Sequence, residues 1–167
     1  MSRGVYSLLI RVKKPMNIRI GALGVRRFNP GLYVYVGSAM GFGAQSLEGR
    51  IRRHLSDNKQ TRWHIDYLLL NRDVEVVRVV SSETAQKAEC KVVEELTREG
   101  LPNPELRGFG SSDCRSGCFS HLIYFGSTQT VEDALDRILA VYKRLGLKPR
   151  IFDLEGFGTE DLRKAHL

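Results

Sequence analysis

The chain has 167 residues, 26 Lys and Arg against 19 Asp and Glu, a net charge of +7 and three cysteines. That length suits one domain with a full core, and the composition excludes disordered and fibrous classes. No apolar run approaches the about 18 residues of a membrane span, no cleavage site follows the short apolar stretch 5–12, and an odd cysteine count gives no disulfide framework. A cytoplasmic, reducing setting without membrane partners is expected, and the positive charge favours polyanionic partners.

Gly4–Val12 alternates as a strand, with Tyr6, Leu8, Ile10 and Val12 on one face. Lys13-Lys14-Pro15 turns the chain into a weaker strand over 17–23. Asn29-Pro30-Gly31-Leu32 puts proline and glycine at the centre of a type II turn. The strand that follows sets Tyr33 and Tyr35 on one face and Leu32, Val34 and Val36 on the other, and 37–43 is a glycine-rich loop. Leu47–Leu55 is a basic helix and 62–70 a second. Residues 74–80, rich in β-branched side chains, are a central strand. Ser82 is placed as the cap of a helix reaching Glu99, stopped by Gly100 and Pro102. Residues 107–120 are loop and 121–125 a short strand. Thr130-Val131-Glu132-Asp133 opens an amphipathic helix with Leu135, Ile138, Leu139 and Tyr142 inward, and a last helical turn is expected after Thr159. This order predicts an α+β fold, a small central, mainly antiparallel sheet flanked by helices.

On the basic helix, at about 100° per residue, Leu47, Ile51 and Leu55 form the buried stripe. Arg50 and His54 border it, where side chains line a cleft, while Arg52 and Arg53 point outward to solvent. On the later helix Glu89 falls inside the apolar arc of Ala85, Ala88, Val92, Val93 and Leu96. A carboxylate there needs a cation, a metal or a raised pKa, so metal or catalytic duty is weighed above an ion pair with an arginine such as Arg50. Tyr6 and Tyr35 need partners for their phenol oxygens, which a polar cleft edge supplies. Cys114-x3-Cys118-x2-His121 offers a zinc site with Asp113 or Cys90 as fourth ligand, but the spacing matches no recognised finger, so free loop thiols are expected. His64 and Asp66, beside Trp63 and Tyr67, are expected in helix packing. Loop 108–113 is either a set of amides for a phosphate or an ordinary turn.

Gly4-Val5-Tyr6, Tyr35-Val36-Gly37, Leu47-x-x-Arg50-Ile51-x-x-His54 and the later helical Glu89 together resemble the GIY-YIG nuclease superfamily. Ile20-Gly21-Ala22-Leu23-Gly24, Arg62-Trp63-His64-Ile65-Asp66-Tyr67-Leu68, Gly108-Phe109-Gly110-Ser111-Ser112-Asp113-Cys114 and Ser120-His121-Leu122 bring it nearer a poorly characterised, largely archaeal branch, sometimes fused to an endonuclease III-type glycosylase. The resemblance covers residues 4–126, and it implies metal-assisted phosphodiester hydrolysis of nucleic acid, DNA above all. Glu89 would hold one Mg²⁺ or Mn²⁺. Tyr6, or Tyr35 with it, would position and deprotonate the attacking water, its pKa lowered by nearby cations. Arg50 would contact the scissile phosphate and His54 would assist as donor or proton shuttle. Ser38, Arg52 and Arg53 are expected to touch the nucleic acid. Ser38 stands where some relatives carry lysine, and Asn103 matches only loosely an asparagine that many have after the glutamate helix. A non-catalytic nucleic-acid-binding module is therefore the alternative. Residues 1–126 are assigned to this domain and 127–167 to a helical extension packed on it, a surface for a homodimer.

Overall fold

The computed structural model describes residues 2–112 and 114–154. The turn expected after Thr159 and the proposed ligand Asp113 lie outside them.

The fold is α+β, built around strand β1 (Gly4–Val12). It pairs antiparallel with β4 (Gly31–Ala39), Tyr6 opposite Gly37, and on its other side with β5 (Val74–Glu83), Tyr6 opposite Ser81. β6 (Leu122–Gly126) adds outside β4, and the short β7 (Arg150–Ile151) outside β5. The sheet order is β6-β4-β1-β5-β7, antiparallel throughout. β2 (Met16–Arg19) and β3 (Val25–Phe28) form a separate hairpin.

Both faces of the sheet are covered, so its strands are apolar on both sides. The period of two sends Tyr6, Leu8, Ile10, Tyr33 and Tyr35 into one core. There they meet Leu47 and Ile51 of α1 (Leu47–Leu55), Ile65 and Leu68 of α2 (His64–Leu69), and the β2–β3 hairpin. Val5, Leu9, Leu32, Val34 and Val36 enter a second core. It is closed by Val92, Val93 and Leu96 of α3 (Glu89–Glu99) and Ala134, Leu135, Ile138, Val141 and Tyr142 of α4 (Val131–Arg144). A hydroxyl pair in this apolar layer is self-contained, Ser7 Oγ lying 2.7 Å from Tyr142 Oη. Thr130 Oγ1 caps α4 by accepting from the Asp133 amide, as its sequence predicts. The apolar stripe of α4 is spent on the sheet; on its outer side Arg137 and Arg144 pair with Glu99 and Glu95 of α3. A homodimer through α4 would have to use that charged face.

Three expectations are corrected. Residues 17–23 are not one strand: β2 ends at Arg19, a 3-10 turn occupies Gly21–Leu23, and Val25–Phe28 pairs back on β2. The pair Arg26-Arg27 hides that strand's alternation in sequence. Ser82 does not cap a helix. It is buried within β5 opposite Val5, because the β1 ladder carries β5 on to Glu83, and α3 starts only at Glu89. Arg53, placed on the solvated face by the helical wheel, instead turns onto α2, as described below. No helix among the described residues is long and apolar enough to cross a membrane.

Candidate functional site

The site lies where β4 outruns its edge neighbour. β6 begins at Leu122, opposite Tyr35, so the end of β4 from Gly37 on has β1 as its strand partner in the described ladders. Over this open edge α3 brings Glu89, its first residue, from one layer, and α1 brings Arg50 and His54 from the other. Ser38 joins the two sides. Its hydroxyl donates to Glu89 Oε2 at 2.9 Å, and its carbonyl accepts from Arg50 Nη1 at 2.9 Å. Gln45 Oε1 accepts from Arg50 Nη2, the guanidinium lies 5.1 Å from the centre of the Trp63 ring, and Arg50 Nε is buried with no partner among the described residues. Glu89 Oε1 accepts from His121 Nδ1 at 2.8 Å, and the carboxylate side chain is 26% exposed. The reachable surface of the site is therefore Arg50, Ser38 and Glu89.

Behind that surface the aromatic groups are enclosed. Tyr6 is 1% exposed and its Oη lies 2.6 Å from His54 Nε2; the Tyr35 ring meets the His54 ring edge-on at 5.9 Å. Gly37 is glycine because a Cβ there would overlap the Tyr6 phenol oxygen. Gly37→Ala is expected to push Tyr6 off His54 and cost about 1–3 kcal/mol, as overpacking does. It would be read as a lower urea midpoint at unchanged slope.

Protonation departs from the sequence-based expectation. The Tyr6 phenol is raised well above its ordinary value, not lowered: burial and the neighbouring Tyr35 outweigh Arg50, and Glu89 adds to the rise. His54 is held neutral, its pKa brought down to about 3 by burial and by Lys59, Arg53 and Arg50, with Asp66 opposing. A neutral imidazole can accept the phenol proton at Nε2; its Nδ1 is buried without a partner among the described residues. His54 should therefore show no NMR titration between about pH 5 and 8. Its unfolded pKa, about 6.5, lies above the folded one, so the unfolded chain binds the proton first. That contribution to stability is complete above about pH 6.5 and declines toward pH 3, by up to about 1.4 kcal/mol per pH unit. Denaturation of wild type and His54→Gln at pH 7 and pH 5 checks the sign: the variant loses this part of the slope.

The remaining candidates fall elsewhere. Arg53 makes a bidentate pair with Asp66, 2.8 Å to each oxygen, and stacks 4.2 Å from the Trp63 ring centre. Asp66 is fully buried and also accepts from the Arg62 and Trp63 amides, closing the start of α2. Burial would raise that carboxyl, but Arg53 and the two amides hold it below its ordinary value. Arg52 is exposed on α1. Asn103 caps a 3-10 turn through the Glu105 amide. In loop 108–113 the described amides that donate do so within the chain, Gly108 to Phe119 O, Phe109 to Leu106 O, Gly110 to His64 Nδ1 and Ser111 to Gly108 O, as in an ordinary turn. Gly110, at φ +68°, lets it lie against Tyr35 and His121. Two open clefts, of about 440 and 420 Å³, lie beside Ser2, Glu48 and Glu83 and beside Leu101, Phe119 and Tyr124, away from Glu89.

Sequence reasoning missed His121 as the partner of Glu89 and Trp63 as the plate between Arg50 and Arg53. No local spacing encodes either, since both contacts cross between elements. It also set the thiols aside. The structure gathers Cys90, Cys114, Cys118 and His121 so that one ligand atom from each lies within 4.8 Å of all the others.

No curated protein and no solved structure matches this chain. A family model described as a domain of unknown function matches residues 5–145, running from β1 through the Glu89 site and the thiol cluster to α4. By that match the chain belongs to the family designated domain of unknown function DUF123.

Proposed function

We propose that this protein hydrolyses phosphodiester bonds in nucleic acid, most naturally DNA, in the manner of a GIY-YIG-like endonuclease using one Mg²⁺ or Mn²⁺. The observation that carries the reading is the convergence of Tyr6, Tyr35, Arg50, His54 and Glu89, delivered from β1, β4, α1 and α3 to one end of the sheet. The net charge of +7 suits a polyanion.

The donor set at Glu89 fits such an ion. A partly exposed carboxylate whose oxygens each accept one hydrogen bond keeps lone pairs to spare, and Mg²⁺ is commonly held by one or two carboxylates plus substrate phosphate and water. The ion would supply Lewis-acid stabilisation of charge on the phosphate and the leaving oxygen. Arg50, fixed by Ser38 and Gln45, presents a permanently charged fork to the phosphate. Tyr6, its proton retained and hydrogen-bonded across 2.6 Å to the neutral His54 Nε2, would form the inner wall behind Arg50 and Glu89 and orient the attacking water from Oη. Ser38 keeps Arg50 and Glu89 at a fixed separation.

A second reading, a binding module that does not turn over, has one observation in its favour. The Tyr6 phenol is buried and pushed upward, opposite to what a base requires. Duplex, nicked, flapped and branched DNA and an RNA, each incubated with Mg²⁺ or Mn²⁺, separate the two. Metal-dependent cleavage of any of them supports hydrolysis. Salt-sensitive binding without cleavage supports the module. No binding to any polyanion overturns both.

A further inference from the structure

We propose that Cys90, Cys114, Cys118 and His121 Nε2 bind one Zn²⁺ in a closed tetrahedral site, and that this ion fixes Glu89 through the other nitrogen of His121. Three sulfurs and an imidazole nitrogen form a soft donor set, suited to Zn²⁺ and unsuited to Mg²⁺. The site is thus separate from the oxygen-bound ion proposed at Glu89.

The geometry is that of ligands awaiting an ion. Cys90 and Cys114 Sγ lie 3.4 Å apart, far beyond the about 2.05 Å of a disulfide and near the about 3.8 Å edge of a tetrahedron with 2.3 Å Zn–S bonds. All four ligand atoms lie within 4.8 Å of one another. His121 is 4% exposed. Its Nδ1 is committed to Glu89, while its Nε2 is buried without a partner among the described residues. With Nδ1 carrying the proton, Nε2 holds a buried lone pair, which is costly to leave unused and which a metal ion takes up. The cysteines come from the first turn of α3 and from the stretch between Leu106 and β6, whose described residues form no helix or strand. An ion there would clip that stretch to α3 and add a cross-link in place of an extensive core.

Carboxylate–imidazole–metal chains of this kind set the tautomer and orientation of the ligating histidine. Here the same hydrogen bond acts in both directions, because the carboxylate it reaches is also bound by the Ser38 hydroxyl. Zinc would hold His121, His121 would hold Glu89, and Glu89 would face Ser38 and Arg50.

The assignment of zinc does not rest on the hydrolytic reading, and its test needs no nucleic acid. The full chain is stripped of metal under reducing conditions, reconstituted with Zn²⁺ and dialysed against metal-free buffer, and its metal content is measured. About one zinc per chain is expected, lost in Cys118→Ser. Because that variant could fail to fold, Co²⁺ is also added to the stripped wild type, where thiolate-to-cobalt absorption and a tetrahedral ligand-field spectrum are expected. Glu89→Ala should weaken Zn²⁺ about 10–100-fold against a chromophoric chelator, as loss of a hydrogen-bonded partner of a ligand does. Less than about a tenth of an equivalent of zinc in the wild type, octahedral cobalt, iron bound in preference to zinc, or a Cys90–Cys114 disulfide in the reduced-and-refolded chain would each overturn it. Unchanged zinc affinity in Glu89→Ala would overturn the link to Glu89.

Discussion

Glu89→Gln is expected to slow single-turnover DNA cleavage in Mg²⁺ by about a thousandfold or more, equivalent to about 4 kcal/mol of transition-state stabilisation. The amide keeps the shape of the side chain. It can still accept from His121 Nδ1, and its NH₂ can donate to the Ser38 hydroxyl that now donates to Glu89 Oε2. What it removes is the negative charge that would hold the divalent ion, so binding of DNA, followed by fluorescence anisotropy, should change little. Zinc content measured on the same sample separates loss of the catalytic ion from loss of the thiol site. On the proposed hydrolytic reading Arg50→Ala should behave differently, lowering cleavage about 10²–10³-fold and also weakening binding, because its charge would act on the phosphate before and during reaction. Cleavage by Glu89→Gln at the wild-type rate would remove Glu89 from the chemistry and leave the binding module as the reading.

Asp66→Ala is expected to destabilise the chain by about 3–5 kcal/mol, the cost of leaving a buried pair half made. For a domain of this size that lowers Tm by roughly 10 °C. The carboxylate takes both prongs of Arg53 and two backbone amides in a fully buried setting, so its loss strands two N–H groups at the start of α2 and a guanidinium that is only 24% exposed. Asp66→Asn should cost less, since the amide oxygen can still serve the backbone. Arg53→Ala should appear in thermal unfolding before it appears in nucleic-acid binding. If Arg53→Ala weakened DNA binding with no change in Tm, the guanidinium would be a phosphate contact after all.

Side-chain chemistry and periodicity went a long way in this chain. The alternation sorted Tyr6, Leu8, Ile10, Tyr33 and Tyr35 onto one side of two strands and Leu32, Val34 and Val36 onto the other, because a pleat leaves no other choice of side. Glu89 stood out because a carboxylate in an apolar arc must have a partner. The motif spacing likewise drew attention to Arg50, His54 and Gly37, three residues that the fold sets around Tyr6 and Ser38.

What the linear sequence determined was the set of faces, the helical stripes and the residue types able to bind an anion or a metal, since all of these follow from local geometry and solvation. Only the tertiary structure decided the partners. The β1 ladder overrode the helix signal at Ser82, Arg53 left the solvated face for Asp66, and burial reversed the expected direction of the Tyr6 pKa. The same folding brought Cys90 to a loop 24 residues away and set His121 between the thiols and Glu89. Hydrogen bonds, desolvation and ligand geometry act through space, and residues distant in sequence become neighbours only once the sheet has closed around them.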